Sequence, residues 1–238
     1  MAAIRTEGLA KTYGDLRALD GLDVAVERGE LFGFLGPNGA GKTTTIRILT
    51  GQLRPDAGEA SVLGVDPVAE PVAVREKIGV LPERESPPAF MTPREYFEFV
   101  GTVRGMGDET IASRVETWAD RLDFGAKLDT LSTDLSRGQQ QKVMIAQAFL
   151  HDPDAVFIDE PLANLDPIVQ ERVKAFLREY VAEDNAAFIS THDIGVAEEI
   201  CDRVGVVTEG ELIADRDPSA LGPDESLLDL FLHDVEGS

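Results

Sequence analysis

One cysteine in 238 residues, Cys201, excludes a disulfide within the chain. A lone thiol in such a chain reads as buried packing rather than as a reactive group. Basic residues are scarce too. The 22 Lys and Arg, only 6 of them Lys, face 44 Asp and Glu, for a formal net charge of -22. A field of that sign repels nucleic acid and anionic membrane surfaces, so we expect no nucleic-acid partner. Long apolar runs are missing: nothing approaches the roughly 18 charge-free apolar residues of a membrane helix. The first residues, "MAAIRTEGLAKTYG", hold no apolar block of the signal-peptide type. We therefore expect a cytoplasmic chain with no segment inserted directly in a membrane.

What is present is an ordinary folding composition, 43% hydrophobic. The length suits one α/β domain, with or without a subdomain. The acids are dispersed along the chain instead of forming one run. A dispersed acidic surface poor in Lys fits a protein kept soluble in a salt-rich cytoplasm, and we expect a halophilic, archaeal source. The plainer reading is an acidic protein that prefers Arg to Lys.

"GPNGAGKTT" spans Gly36 to Thr44 and matches the phosphate-loop pattern Gly-x-x-x-x-Gly-Lys-Ser/Thr through Gly36, Gly41, Lys42 and Thr43. "ELFGFLG" before it reads as a buried strand, and "KTTTIRILTG" after it as a helix stopping near Gly51. Glycines let backbone N–H groups turn inward around phosphate oxygens, and the helix N-terminus adds partial positive charge. The candidate nucleotide-binding residues are Gly36, Pro37, Asn38, Gly39, Ala40, Gly41, Lys42, Thr43 and Thr44. Lys42 is placed to reach the β- and γ-phosphates and the Thr43 hydroxyl to ligate Mg2+. The bland alternative is a glycine-rich turn that binds nothing.

"DAVFIDEP" supplies a second element. Its apolar run reads as a parallel strand covered on both faces, with Asp159 and Glu160 emerging at the C-terminal end, where α/β sheets place ligand groups. Asp159 would bind Mg2+ and Glu160 would orient or deprotonate the attacking water. "AAFISTHD" reads as another buried strand with His192 just past its end, suited to a γ-phosphate or to holding the water and Glu160. Two solvated acids and a structural histidine are the ordinary alternatives. In "LAKTYGD", Tyr13 precedes the first expected strands; its ring can stack on adenine or simply pack in the core.

The order Tyr13, "GPNGAGKTT", "IGVLPE", "LSRGQ", "AVFIDEP", "NLDP", "STHD" resembles the ATPase subunit of an ATP-binding cassette transporter, over nearly the whole chain from about Leu9. The implied fold is α/β: a P-loop NTPase with a mostly parallel sheet core, an N-terminal antiparallel β portion and an inserted helical subdomain. The expected division of the single cassette domain is a core of 1–83 and 151–222, a helical subdomain of 84–150 and a C-terminal acidic segment of 223–238. The resemblance implies that Leu135, Ser136, Gly138 and Gln139 face the P-loop of a second subunit, so that two ATP molecules are sandwiched head to tail. Arg137 stands where the family has its first signature glycine. A helix cap with Ser136 as N-cap is the structural reading of the same residues. The resemblance likewise makes "NLDP" a loop that crosses the dimer interface through Asp166. The residues alone read as a turn capped by Asp166 with Pro167 in the first helical turn. At the end of "IGVLPE" the family carries Gln; Glu83 can still approach Mg2+ or its water, yet it adds negative charge and cannot donate a hydrogen bond.

Between 84 and 150 the pattern reads as mostly helical. Thr92 and Pro93 open one helix; Ile111, Val115, Trp118 and Leu122 form the buried stripe of another. In the family this segment moves against the core, and a groove beside Glu83 receives a short helix of a membrane subunit. Phe90, Met91 and Tyr96 are candidates to line it, internal packing being the alternative. Farther on, "GVVTEGELIADRDPSAL" reads as a hairpin around Glu209 and Gly210, and "ESLLDLFLHDV" as a short helix. This ending, with the "LSRGQQQK" signature, resembles ABC-2 exporter-type cassettes whose permease is a separate chain. The implied function is an ATPase that powers a membrane transporter, an exporter, with ATP and Mg2+ as cofactors. Its implied partners are a second cassette, as homodimer or heterodimer, and an integral membrane permease that holds it at the cytoplasmic face of the cell membrane. The competing function is a soluble cassette ATPase in cofactor assembly or another non-transport process. A guanine-reading Asn-Lys-x-Asp motif is missing, which argues against a small GTPase.

Overall fold

Strands β1 (Ile4–Tyr13) and β2 (Leu16–Val26) form an antiparallel hairpin in the computed structural model, which describes residues 2–83, 86–220, 227, 228 and 231. Tyr13 therefore ends the first strand instead of preceding it. The hairpin turns at Gly14 and Asp15, where Gly14 takes a φ of 59° that suits a residue without a side chain. Polar residues interrupt the apolar ones along β1 and hide the strand from a search for apolar runs. With β4 (Ala57–Val62) on its other side, β1 makes the centre of a three-stranded antiparallel sheet of order β2-β1-β4.

The second sheet has six strands: β5 (Ile78–Leu81), β6 (Ala155–Asp159), β7 (Ala186–Thr191), β3 (Leu31–Leu35), β8 (Arg203–Thr208) and β9 (Glu211–Arg216), in that order. All pairings are parallel except the β8–β9 hairpin. Every residue of β3, β6 and β7 is buried, as a sheet covered on both faces requires. Side chains alternate across the pleat. Leu31, Leu35, Val156, Ile158, Ala187 and Ile189 face a helical core; Phe32, Phe34, Phe157 and Phe188 face the space toward the antiparallel sheet. The phenylalanine rings of the latter set meet at centroid distances of 5.2 to 6.5 Å, within the range of favourable aromatic pairs.

Helix α1 (Lys42–Leu49) follows β3 directly, and α2 (Pro71–Lys77) leads into β5. Helices α3 (Pro93–Val103), α4 (Asp108–Leu122) and α5 (Arg137–Phe149) lie in the segment between β5 and β6. Thr92 caps α3 in a reciprocal box: its hydroxyl accepts from the Glu95 N–H, and Glu95 Oε2 accepts from the Thr92 N–H at 2.8 Å. The stripe Ile111, Val115, Trp118 and Leu122 is buried, and Phe97 joins it with no exposure. Tyr96 packs on this core beside Phe97, whereas Phe90 is 78% exposed. Helix α6 (Pro167–Ala182) covers the same face, with Phe176 and Tyr180 edge-on to Phe149. Helix α7 (Ile194–Ile200) begins just past β7, and Cys201 after it is buried, its thiol pushed up in pKa by burial.

The hairpin expected at Glu209 and Gly210 is β8–β9. Of the helix expected beyond it, Leu227, Leu228 and Phe231 are described, and they are helical; Leu227 is buried and Phe231 packs on the helical core. Leu232 and the remainder of the acidic segment lie outside the described residues. Among the described residues no helix is long and apolar enough to cross a membrane.

Candidate nucleotide-binding and catalytic site

The loop from Gly36 to Gly41 joins β3 to α1, and its shape requires glycine at two positions. A side-chain carbon at Gly36 would meet the Val207 carbonyl oxygen at 2.3 Å. Gly41 combines a φ of 105° with an Ala18 carbonyl 2.5 Å from where a side chain would begin. Lys42 opens α1 and turns back over the loop, donating from Nζ to the Gly36 carbonyl at 2.6 Å and the Pro37 carbonyl at 3.1 Å. Burial lowers its pKa, and the charges of Glu160, Asp159 and Glu83 oppose that shift.

The parallel sheet carries the acidic groups to the same edge. Asp159, the last residue of β6, stands opposite Ser190 of β7. Its Oδ2 accepts from Thr43 Oγ1 at 3.0 Å, and its Oδ1 accepts from Ser190 Oγ. Burial raises the Asp159 pKa; these two hydrogen bonds lower it, and the Glu83 and Glu160 charges raise it. Burial outweighs the two donors, so the Asp159 carboxyl sits above its ordinary range.

Glu160 follows with a φ of 57°, in the left-handed region that a non-glycine residue enters at a cost of about 1–3 kcal/mol. Three groups at the end of β7 and just past it hold it. Thr191 Oγ1 donates to Oε2 at 3.0 Å, the His192 N–H donates to Oε1 at 3.0 Å, and His192 Nδ1 lies 2.6 Å from Oε1. The Glu160 N–H donates to the Ser190 carbonyl at 2.9 Å. His192 is exposed and Glu160 mostly covered, so the imidazole stands at the rim with the carboxylate behind it.

A cleft of about 290 Å3 brings most of the expected residues together: Tyr13, Asn38, Gly39, Gly41, Lys42, Thr43, Thr44, Glu83, Asp159, Glu160 and His192. Gly36, Pro37 and Ala40 belong to the loop beneath it. Ser136, Gly138 and Gln139 are not in its lining. They open α5, where Ser136 Oγ accepts from the Gln139 N–H at 3.3 Å and Gln139 Oε1 accepts from the Ser136 N–H at 2.9 Å. This box is the helix cap expected of the residues themselves. Asp166 also caps its helix, accepting from the Val169 N–H at 3.1 Å. Sequence reasoning missed Leu16 and Ala18, which line the cleft beside Tyr13, and the hydroxyls of Ser190 and Thr191. The only sequence signal for the hydroxyls is a polar pair closing an otherwise apolar strand.

The fold and site have close counterparts. The family model described as ABC transporter matches residues 19–163. The daunorubicin/doxorubicin resistance ATP-binding protein DrrA of Streptomyces peucetius is 36% identical over 98% of this chain and 72% of that protein. The Nod factor export ATP-binding protein I of Paraburkholderia xenovorans is 36% identical over 92% of this chain and 72% of its own length. A solved structure described as the ATP-binding subunit of an ABC transporter superposes with a TM-score of 0.90 at 26% identity, covering 98% of this chain and 99% of the other.

Proposed function

The chain belongs to the ABC transporter family as an ATP-hydrolysing cassette, and on that premise we propose that it powers export through a separate membrane permease. The observation that carries the catalytic part is the convergence of Lys42, Thr43, Asp159, Glu160 and His192 on one cleft. Support for export comes from relatives whose names refer to drug resistance and Nod factor export.

In this reading ATP lies over the loop 36–44. Lys42 exchanges its two loop carbonyls for β- and γ-phosphate oxygens, and Tyr13 offers its half-exposed ring to adenine. The Thr43 hydroxyl and Asp159 Oδ2, already 3.0 Å apart, are hard oxygen donors of the kind Mg2+ takes, with Glu83 on the same cleft. Among the described residues no three His, Cys, Asp or Glu side chains form a metal cage on their own. A cation here would complete its shell from phosphate and water, and it would supply neutralisation of charge on the β- and γ-phosphates. Glu160 takes a proton from water as the water oxygen bonds to the γ-phosphorus and the bond to the bridging oxygen of ADP breaks. His192 holds Glu160 Oε1 and contacts the γ-phosphate from the rim.

The signature residues support a site shared between two chains. Ser136, Gly138 and Gln139 lie outside the cleft of their own chain, at the N-terminus of the 13-residue helix α5. A second cassette placed head to tail brings that helix end to the ATP of the first. The pair then grips the permease at the cytoplasmic face of the membrane.

Recovery of the tagged chain from native membranes, in mild detergent and high salt, tests the transport assignment. A multi-span membrane protein recovered in stoichiometric amount is the expected result. Recovery with soluble partners only, and no chain in the membrane fraction, would replace transport with a soluble assembly ATPase.

A further inference from the structure

Ser190 is fully buried at the end of a strand whose other residues are Ala, Ala, Phe, Ile and Thr. A buried hydroxyl needs a partner, and Ser190 has one of particular use: Oδ1 of Asp159, directly opposite in register. With Oδ1 anchored there, the other oxygen, Oδ2, is the one turned to Thr43 and the cleft. The backbone of Ser190 acts on the next residue, its carbonyl accepting from the N–H of Glu160 and holding that left-handed residue in place. Thr191, one position on, faces the opposite side of the pleat. Its hydroxyl donates to Glu160 Oε2 and accepts from the Asp193 N–H at 3.0 Å, so the hydroxyl is itself oriented. Oε1 of Glu160, nearer the cleft rim, accepts the His192 N–H at 3.0 Å and lies 2.6 Å from His192 Nδ1.

Each hydroxyl thus holds one oxygen of one carboxylate, and the other oxygen meets a group at the cleft: Thr43 for Asp159, His192 for Glu160. We propose that Ser190 and Thr191 are positioning residues with divided duties: Ser190 sets Asp159 for the divalent cation, and Thr191 sets Glu160 for the attacking water. The proposal rests on the functional reading above. A carboxylate that loses one of its two anchors is held less narrowly about its broad last torsion, and loss of an outer partner of a metal ligand costs about 10- to 100-fold in metal affinity or activity. The division follows from the pleat, because adjacent residues on one strand reach carboxylates on two sides of it.

The test compares Ser190→Ala and Thr191→Val, each nearly isosteric. Binding of a fluorescent ATP analogue is measured in EDTA and then with increasing Mn2+, alongside steady-state turnover at saturating Mg2+. Ser190→Ala is expected to bind the nucleotide in EDTA as the unaltered chain does, and to need about tenfold more Mn2+ for the metal-dependent tightening. Thr191→Val is expected to keep the unaltered metal requirement and to lose about tenfold in kcat, as a misplaced reacting group does. Should Ser190→Ala fail to fold, Ser190→Cys, slightly larger and a weaker donor, is read the same way. An unchanged metal requirement in the Ser190 variant, or equal loss of both parameters in both variants, overturns the division. An unaltered chain that binds no nucleotide, or whose binding does not tighten with Mn2+, would instead strike at the functional reading itself.

Discussion

A side-chain carbon at Gly138 would begin 2.8 Å from the carbonyl oxygen of Asn164. The helix start that carries the signature therefore rests directly on the "NLDP" loop of the same chain, and Asn164 takes a φ of 63° to present that carbonyl. Gln170 braces the loop from behind, its Nε2 donating to the carbonyls of Leu162 and Leu165. The two segments proposed to meet a second subunit form one packed unit.

Gly138→Ala is expected to push these segments apart. Overpacking costs about 1–3 kcal/mol, partly offset by roughly 1 kcal/mol of better helix propensity for Ala. Nucleotide binding to the isolated chain should persist, since the cleft is elsewhere, while ATP-driven pairing and turnover fall. Light scattering with and without ATP, beside an ATPase assay, checks this. Unchanged pairing and turnover would uncouple the contact from function.

Glu160→Gln is expected to keep ATP binding and lower hydrolysis by about 10²- to 10⁴-fold, the usual contribution of a general base. The amide still accepts from Thr191, so the fold around it should survive. An ATP-bound dimer should then accumulate in high salt on a sizing column. Normal hydrolysis by this variant, or full activity in Ser136→Arg, would remove the two-chain site.

His151 lends the chain a pH dependence away from the cleft. Burial, reinforced by the nearby Arg104 charge, pulls its pKa from 6.5 to about 4. The ring donates from Nε2 to the Ile78 carbonyl at 2.9 Å, and Nδ1 is buried with no hydrogen-bond partner among the described residues. The folded pKa lies below the unfolded one, so stability is full above about pH 6.5 and declines as pH falls toward 4. The loss is on the order of 2 kcal/mol after solvent screening. His151→Gln keeps a donor for Ile78 and should flatten the melting-temperature slope between pH 7 and pH 5. Identical slopes in both proteins would contradict the assignment.

The formal charge of -22 predicts stability that rises with salt, and we propose a halophilic source on that ground. Screening shortens the Debye length from about 10 Å at 0.1 M to about 3 Å at 1 M. Surface pairs such as Arg94–Asp129 weaken with the same screening but contribute little. A net gain on the order of 2 kcal/mol would raise Tm by about 4–8 °C for a chain of this size. Thermal melts in increasing KCl check it; a Tm that falls with salt would count against the proposal.

Much of this molecule was legible because its signals are local. The phosphate loop is set by glycines a few residues apart. The caps at Thr92, Ser136 and Asp166 need only residues three positions on. The apolar runs ending at Leu35 and Asp159 announce strands covered on both faces. The strand that ends at Tyr13 escaped notice because its alternation is mostly polar, and pairing with β2 and β4, not apolar content, makes it a strand.

By itself, then, the sequence determined most element types and the family, and it singled out Lys42, Thr43, Asp159, Glu160 and His192, which the structure brings to one cleft. Only the tertiary structure decided who holds them. Ser190 reaches Asp159 across 31 positions because β6 and β7 pair in one register, and a shift of a single residue would turn the hydroxyl to the other face. Tyr13 joins the cleft because a hairpin folds over it, and Gly138 meets Asn164 because two helix starts converge. Such contacts depend on register and packing between distant segments, which no local pattern encodes.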